Sequence, residues 1–286
     1  EAPESLVIIG ADYIGVEMAQ IFSSFGSKVT VVERKESAIE VVDSEVSSIL
    51  IKSLEKSGIK FIFGKEITEI SGEKVLAGSE EVASAKVILL TTREADLTAL
   101  KDVKLEVSNG NVVANEKMQS SLKNIYVPGD VNGKNLLAHA AFKMGYIAAS
   151  EIVEGKSDKY NNNIIPRAIY TYPEIGSVGL TEEEAKKSYD VKVGKFNYSA
   201  NGRALAHGDS SGMVKIISDA RYGEILGAHI VGPRASELIN EVSILMQSEV
   251  IVEEAIKMVF GHPTFSEAIY EAIADVEGVS VHLPKK

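Results

Sequence analysis

Short runs of apolar residues alternate with amphipathic segments through the first third of the chain. The apolar runs predict buried strands, and the segments in which apolar residues recur at every third or fourth position predict helices. The predicted strands cover residues 6–10, 28–33, 59–63 and 86–90, and the predicted helices cover residues 13–25 and 44–56. Strands that alternate with helices are typical of an α/β domain built on a mostly parallel sheet.

The pattern changes towards the middle of the chain. Short strands and turns, with one strand over 124–127, occupy the region up to about residue 135, and a long helix is predicted over 138–153. The polar, turn-prone segment 156–163 is the best candidate for a linker. Beyond it, strands follow one another with few helices between them, which predicts an α+β domain with an antiparallel sheet. The predicted strands there cover 164–170, 175–179, 191–197, 213–218 and 225–231, and the helices cover 181–188, 236–247, 253–258 and 264–275.

Composition excludes several classes of protein. The net charge of −11 disfavours binding to nucleic acid or to anionic lipid. The sequence contains no apolar run long enough to cross a membrane and no signal peptide, so we expect a cytoplasmic protein. Because the chain has no cysteine, it cannot carry redox chemistry on its own sulfur. Its five histidines are scattered without the spacing of a zinc site, and we expect no metal.

A glycine-rich turn is predicted between the first strand and the first helix. Gly10 and Gly15 bracket the segment GADYIG, and Glu33 ends the second strand, where an acid can bond a ribose diol and favour NAD over NADP. This combination indicates a Rossmann-type dinucleotide-binding domain; the alternative is an ordinary βαβ turn with a chance glutamate. Asp12 stands where the middle glycine belongs. Its carboxylate and its Cβ would meet the pyrophosphate, at a cost of about 1–3 kcal/mol, so NAD binding is expected to be impaired.

His262 and Glu267 form a candidate acid–base pair. Pro263 suits a helix start, so His262 is expected just outside the N-terminus of the last helix and Glu267 in its first turns. A carboxylate in that place can hold the imidazole in one tautomer, as a general base requires. The alternative is a structural role, with a capping histidine and a glutamate favoured by the helix dipole.

Four segments in sequence order resemble the pyridine nucleotide–disulfide oxidoreductases, and most of all their dihydrolipoamide dehydrogenase branch. They are 13–17 (YIGVE), 29–33 (VTVVE), 129–130 (GD) and 262–267 (HPTFSE). The resemblance runs from about residue 4 to residue 280. It implies an NAD domain over 1–112, a segment that completes a flavin site over 113–162, and a C-terminal dimerisation domain over 163–286. The family's N-terminal flavin domain, with its redox-active cysteine pair, has no counterpart in this sequence.

The resemblance also implies roles for single residues. Glu33 would bind the adenosine ribose, and Glu17 would pair with a lysine near the flavin. His262 and Glu267 would accept the proton of a substrate dithiol, beside the cysteines of a partner subunit. The flavin ribityl chain and pyrimidine ring would be faced by Gly129 with Asp130, and by the amides of Leu137, Ala138 and His139.

A second departure from the family lies in the loop Thr91-Thr92-Arg93-Glu94-Ala95-Asp96. There Thr92 replaces a glycine and Glu94 adds negative charge near the expected nicotinamide site. Two departures in NAD-contacting loops suggest that cofactor binding has been lost or engineered away.

Three functions are compatible with these features. The first is a part of a flavoprotein disulfide oxidoreductase that couples dithiol oxidation to NAD reduction. It would be a homodimer through 163–286, would use FAD only in the complete architecture, and would be inactive alone; the flavin domain would be a separate chain or would have been removed. The second is a non-catalytic dimeric scaffold or regulator that kept the fold and lost both cofactor sites. The third, an independent NAD-dependent dehydrogenase, is disfavoured because no other hydride-transfer site is visible in the sequence.

Overall fold

A computed structural model of the protein describes residues 1–71, 74–84, 86–90 and 93–284. The chain forms two compact units, one of residues 1–91 together with 166–286 and the other of residues 92–165. The three-segment division at residues 112 and 162 stays a prediction.

The first unit begins with a parallel sheet and two helices, as the alternating pattern predicted. Strands β1 (Ser5–Ile9), β2 (Lys28–Val32) and β3 (Lys60–Ile62) alternate with helices α1 (Tyr13–Ser24) and α2 (Ser44–Lys56). The sheet order is β3-β2-β1 with a fourth strand beside β1, and all its pairs are parallel. Leu6 and Ile8 of β1 share a buried cluster with α1 and α2.

Three further strands form an antiparallel sheet that the sequence pattern did not reveal. They are β4 (Ile67–Ser71), β5 (Lys74–Ala77) and β6 (Glu80–Ala83), and β7 (Lys86–Leu89) then completes the parallel sheet. Val7 of β1 packs in one cluster with Val75 and Val82. Successive side chains of a strand point to opposite faces, so this sheet covers the face of β1 that the helices leave open.

The second unit has little regular structure besides one long helix. It contains the two-stranded ribbon β8 (Val107–Ser108) and β9 (Asn111–Val112), and helix α3 (Ala138–Glu154). Met118 is buried in one cluster with Met144 and Ile147 of this helix. The strand predicted over 124–127 is absent among the described residues of this unit, where a single bridge joins Gln119 to Tyr126.

The rest of the first unit is a five-stranded antiparallel sheet with helices, which confirms the predicted sheet type. Its strands are β10 (Arg167–Ile169), β11 (Glu174–Gly179), β12 (Val191–Asn197), β13 (Met213–Asp219) and β14 (Ile225–Gly232), in the order β10-β11-β14-β13-β12. Its helices are α4 (Glu182–Ala185), α5 (Gly202–His207), α6 (Ala235–Gln247), α7 (Val252–Ala255) and α8 (Glu267–Val276).

Strands β13 and β14 are buried along their whole length because both faces of this sheet are covered. Ile216 and Ile230 pack with α6 and α8, whereas Met213 and Val231 belong to the same cluster as Leu50 of α2. The antiparallel sheet therefore packs directly on the helical face of the first layer. None of the helices in the described ranges is long and apolar enough to cross a bilayer.

Candidate functional site

The turn after β1 depends on two glycines. Gly10 has a φ of +111°, a backbone conformation that residues with a Cβ rarely adopt. A Cβ on Gly15 would lie 2.1 Å from the carbonyl oxygen of Gly10, so only glycine lets α1 begin so close to the strand. Both residues have the structural role that a dinucleotide turn gives them.

Asp12 closes the N-terminus of α1, as the sequence predicted. Its Oδ1 accepts a hydrogen bond from Gly15 N at 2.9 Å, and the residue is exposed. The carboxylate is therefore placed at the helix end where a pyrophosphate would bind. The charge and the Cβ of Asp12 oppose a pyrophosphate at this turn.

Glu33 joins the end of β2 to the same turn. Its Oε2 accepts from Ala11 N at 2.8 Å, and its Oε1 accepts from Lys35 N at 2.9 Å. This carboxylate is half-buried and held from both sides, next to the glycine turn. Its position fits the ribose of an adenosine, which an acid at the end of the second strand can bind.

Glu17 and Gln20 project from α1 towards the antiparallel sheet. Glu17 Oε1 accepts from Tyr170 N at 2.8 Å. The side-chain amide of Gln20 bonds both backbone groups of Tyr172, accepting from N at 2.7 Å and donating to O at 2.9 Å. In this chain Glu17 thus holds a backbone amide. Gln20 was missed by sequence reasoning because its partner is 152 positions away.

The second departure from the family can be described only in part. Thr91 and Thr92 lie outside the described residues. Asp96, at the end of that loop, accepts from both the amide and the hydroxyl of Thr98, and these bonds lower the pKa of its carboxyl group.

The residues with a flavin resemblance lie together in the second unit. Gly129 has a φ of +87° and begins a short turn in which Asp130 is exposed. Helix α3 then starts at Ala138, after Leu137, whose side chain makes no cap. His139, in the first turn, is exposed.

Two buried asparagines shape this turn, and sequence reasoning missed them. Asn132 donates to Val127 O at 2.7 Å and accepts from Lys134 N at 2.8 Å. Asn135 accepts from Leu137 N at 3.2 Å, immediately before α3. Their position beside a glycine turn could have indicated them, because asparagine side chains often bond the backbone of turns.

His262 and Glu267 are in direct contact. Nδ1 of His262 lies 2.7 Å from Oε1 of Glu267, while Oε2 accepts from Thr264 N at 2.7 Å. The histidine side chain is 72% exposed and the glutamate only 16%. Because a carboxylate accepts, Nδ1 carries the proton and Nε2 is left as an acceptor open to solvent. Helix α8 starts at Glu267, later than predicted, because residues 262–266 form the turn that brings the two side chains together.

The remaining histidines differ in their surroundings. His229 is fully buried in β14. His282 lies in the C-terminal segment and bonds Oε1 of Glu271 at 2.8 Å, a second histidine–glutamate pair that the sequence did not suggest. Among the described residues, no three histidine, aspartate or glutamate side chains are arranged to hold a metal.

A cavity of about 590 Å³ lies between α2 and the 181–187 segment. Ile51, Phe63 and Thr181 line it, with several exposed glutamates. Within the described part of the chain, its lining contains none of the site residues predicted from the sequence.

Family models match both parts of the chain. The model described as "Pyridine nucleotide-disulphide oxidoreductase" matches residues 1–145, and the model for the dimerisation domain of the same proteins matches residues 165–273. Among curated relatives, a dihydrolipoyl dehydrogenase from Bacillus subtilis is 35% identical over 99% of this chain and 63% of its own length. The mitochondrial dihydrolipoyl dehydrogenase of Pisum sativum is 35% identical, over 99% of this chain and 59% of its own length. The chain therefore spans about three fifths of the length of the curated relatives that it matches.

Solved structures of proteins from this family have the same fold as this chain. LpdA from Mycobacterium tuberculosis superimposes with a TM-score of 0.89 over 96% of this chain and 62% of its own, at 21% identity, which establishes the shared fold. The Cu(II) complex of the HOCl-induced flavoprotein disulfide reductase RclA from Escherichia coli gives a TM-score of 0.87 at 27% identity, over 96% of this chain and 65% of its own. With two family models covering most of its length, the chain belongs to the pyridine nucleotide–disulphide oxidoreductase family.

Proposed function

We propose that this chain forms the nicotinamide-nucleotide and dimerisation parts of a flavoprotein disulfide oxidoreductase similar to dihydrolipoyl dehydrogenase. The parallel layer would be a Rossmann-type domain, and the complete enzyme would oxidise a dithiol with reduction of NAD. The observation that carries the proposal is the 2.7 Å contact between His262 and Glu267.

The chemistry requires such a base. Oxidation of a dithiol to a disulfide releases two electrons and two protons, and reduction of NAD takes up both electrons but only one proton. Both protons must therefore leave the thiols, and one of them is released rather than taken up by NAD. Nε2 of His262 is exposed and free to accept a proton, and Glu267 stabilises the imidazolium that forms.

The redox-active thiols must come from outside this sequence, because it has no cysteine. FAD in the complete architecture would carry electrons between the dithiol and the nicotinamide. Helix α3 presents an exposed apolar stripe at helical spacing, with Phe142, Tyr146 and Val153 at 78, 66 and 81% exposure. This stripe, and the α3 N-terminus with Leu137, Ala138 and His139, would face a flavin domain, supplied as a separate chain if it is not part of the same one.

One part of the proposed NAD site fits the cofactor and another part opposes it. Glu33 suits the ribose and favours NAD over NADP, whereas Asp12 obstructs the pyrophosphate. NAD is thus part of the proposal only for an enzyme that tolerates or compensates Asp12.

The antiparallel sheet and its helices would form a two-fold contact between identical chains through residues 163–286. A match to the family's dimerisation domain over residues 165–273 supports this. A cytoplasmic location is part of the same proposal, because a reducing compartment keeps a dithiol substrate reduced.

The alternative is a dimeric scaffold without catalysis. One observation favours it: the Asp12 carboxylate accepts a hydrogen bond from Gly15 N and so occupies the expected anion site. The two proposals differ in what the chain does when a flavin domain is added.

Their test is reconstitution. The purified chain and its Asp12→Gly variant are mixed with the separately expressed flavin domain of the Bacillus subtilis relative, and lipoamide-dependent NADH oxidation is measured. Activity that the His262→Gln substitution abolishes supports the enzyme. Complex formation without any activity, even after Asp12→Gly, supports the scaffold. Activity that His262→Gln leaves unchanged contradicts the role given to the pair.

A further inference from the structure

Asn201 is a buried side chain that reaches the turn of the His262–Glu267 pair from another element. It is only 3% exposed and forms the N-cap of α5. Its Oδ1 accepts from Ala204 N at 2.9 Å, and its Nδ2 donates to Thr264 O at 3.0 Å. One short side chain therefore connects the start of α5 to the middle of the 262–267 turn.

The backbone of Thr264 links Asn201 to the His262–Glu267 pair through two hydrogen bonds. Its carbonyl accepts from Asn201, and its own N–H donates to Oε2 of Glu267 at 2.7 Å. The other oxygen of the same carboxylate, Oε1, contacts His262 Nδ1 at 2.7 Å. The orientation of the Thr264 peptide units thus decides where the carboxylate lies relative to the imidazole.

The neighbours of Thr264 place the turn without orienting the carboxylate. Phe265 packs edge-on against Tyr198 and His207, with ring centroids 6.2 and 5.8 Å apart. Ser266 donates to Glu241 Oε1 at 2.7 Å. These side-chain contacts fix the position of the turn, whereas the bond from Asn201 acts on the backbone of Thr264, whose N–H donates to Glu267.

We propose that Asn201 is a positioning residue for the His262–Glu267 pair, an inference that rests on the proposed function of that pair. Asparagine suits the role because it accepts and donates at once. Aspartate and serine are equally good caps for α5, but an ionised aspartate has no hydrogen to offer to Thr264 O.

The test uses this difference. In Asn201→Asp the cap to Ala204 N is kept and the donor to Thr264 is lost. The readout is the tautomer of His262, measured from the ¹⁵N shifts of both ring nitrogens in the labelled chain at about pH 8.5, where an ordinary imidazole is neutral. The intact chain is expected to show predominantly Nδ1–H, and the variant a shift towards the Nε2–H form that a free imidazole can also adopt. The melting temperature is measured alongside, because a buried carboxylate that faces the Thr264 carbonyl lowers stability.

Asn161→Asp is the control for the cap, because Asn161, which is exposed, also caps a short helical turn through its side chain, in the other compact unit. It should leave the His262 signals unchanged. If Asn201→Asp lowers the melting temperature strongly, Asn201→Ser is read by the same criterion, since serine keeps the cap without adding a charge.

An unchanged His262 tautomer in a folded Asn201 variant overturns the proposal and leaves the proposed function intact. The proposed function fails separately, through the Glu267→Gln variant: if that substitution has no effect on the His262 signals, the pair itself is not coupled, and Asn201 has nothing to position.

Discussion

Asp12 Oδ1 accepts a hydrogen bond from Gly15 N at 2.9 Å, within the turn that begins α1. The bond satisfies one of the amides that a helix start leaves without partners, and it places a negative charge at the positive end of the helix dipole. Both effects stabilise the helix. Both also remove what a pyrophosphate would use, so the same residue supports the fold and opposes the cofactor.

Replacing Asp12 by glycine is expected to strengthen NADH binding by roughly 10- to 100-fold, because a like charge near the pyrophosphate costs about 1–3 kcal/mol. Loss of the cap should lower the free energy of unfolding by only a few tenths of a kcal/mol. Fluorescence titration with NADH measures the first effect. Asp12→Asn, which keeps the cap and the bulk but removes the charge, should give a smaller gain. If neither variant gains affinity, Asp12 is not what limits binding.

Lys215 is the centre of a buried ion cluster between α2 and the antiparallel sheet. Its side chain is 3% exposed, and its Nζ lies 2.8 Å from Asp43, 2.7 Å from Glu182 and 3.2 Å from Glu45. Lys215→Met should lower the free energy of unfolding by about 3–5 kcal/mol, because it leaves the Asp43 carboxylate buried without a counter-charge. Urea denaturation measures this.

Lys195→Met is the control for the cluster. Lys195 pairs with Glu45 at 2.6 Å, but both side chains are 41% exposed. Lys195→Met should lower the free energy of unfolding by less than about 1 kcal/mol, because solvent screens an exposed ion pair. If the two lysine substitutions lowered the free energy of unfolding equally, burial would not be the reason for the stability of the Lys215 cluster.

Stability should fall as the pH drops from neutral, through His229. Its Nδ1 accepts from Asp43 N at 3.2 Å and its Nε2 donates to Leu180 O at 3.1 Å, and burial lowers the pKa of the imidazole. An unfolded histidine binds a proton near pH 6.5, so the unfolded state binds more protons below that pH. The free energy of unfolding should therefore decrease by up to about 1.4 kcal/mol per pH unit below about pH 6.5.

Chemical denaturation at several pH values between 7 and 5 checks this slope. His229→Gln, which cannot titrate, should flatten the profile even if it lowers stability throughout. His207→Gln, at an exposed histidine, is the control whose profile is compared with that of His229→Gln. Asp43 acts at lower pH: burial alone would raise its pKa, but the bonds from Lys215 and Glu182 N lower it, so its contribution is lost only below about pH 4.

Glu271 holds the C-terminal segment. Its side chain is 3% exposed and accepts from Val281 N at 3.0 Å, from His282 N at 3.1 Å, from the His282 ring at 2.8 Å and from the Ser280 hydroxyl. Glu271→Gln removes the charge from these bonds. Charge-assisted bonds are worth about 1.5–3 kcal/mol each, so hydrogen exchange at the amides of Val281 and His282 should accelerate by roughly 10-fold or more.

Glu277→Gln, at an exposed pair with Lys192, is the matched substitution on the same part of the chain and should leave those two amides protected. Acceleration in both variants would mean that fraying of the chain end, and not Glu271, sets the exchange rate.

Elements whose signals are local could be read from the sequence. Helix α2 covers Ser44–Lys56 as predicted, because Asp43 caps its start, its apolar positions recur at helical spacing, and Gly58 follows its end. Strand β12 also has its predicted bounds, Val191–Asn197. The sheet of β4, β5 and β6 was missed because its strands are short and only Val75, Ala77 and Val82 are buried in it.

The candidate site divides in the same way. His262 with Glu267, and Gly10 with Asp12 and Gly15, lie within six residues of each other, so spacing alone suggested their contacts. Gln20, Asn201 and Lys215 gave no such signal, because their partners are 152, 63 and 172 positions away.

The sequence by itself determined the order of the longer helices and of the strands in the two main sheets, the types of those sheets and the family, since these follow from periodicity and from motifs that are contiguous in the chain. Only the tertiary structure decided which carboxylate each buried cation meets, and that Glu267 reaches His262 through a turn oriented by Asn201. The physical reason is that hydrogen bonds act over about 3 Å in space, and separation along the chain does not limit them once packing has brought two segments together.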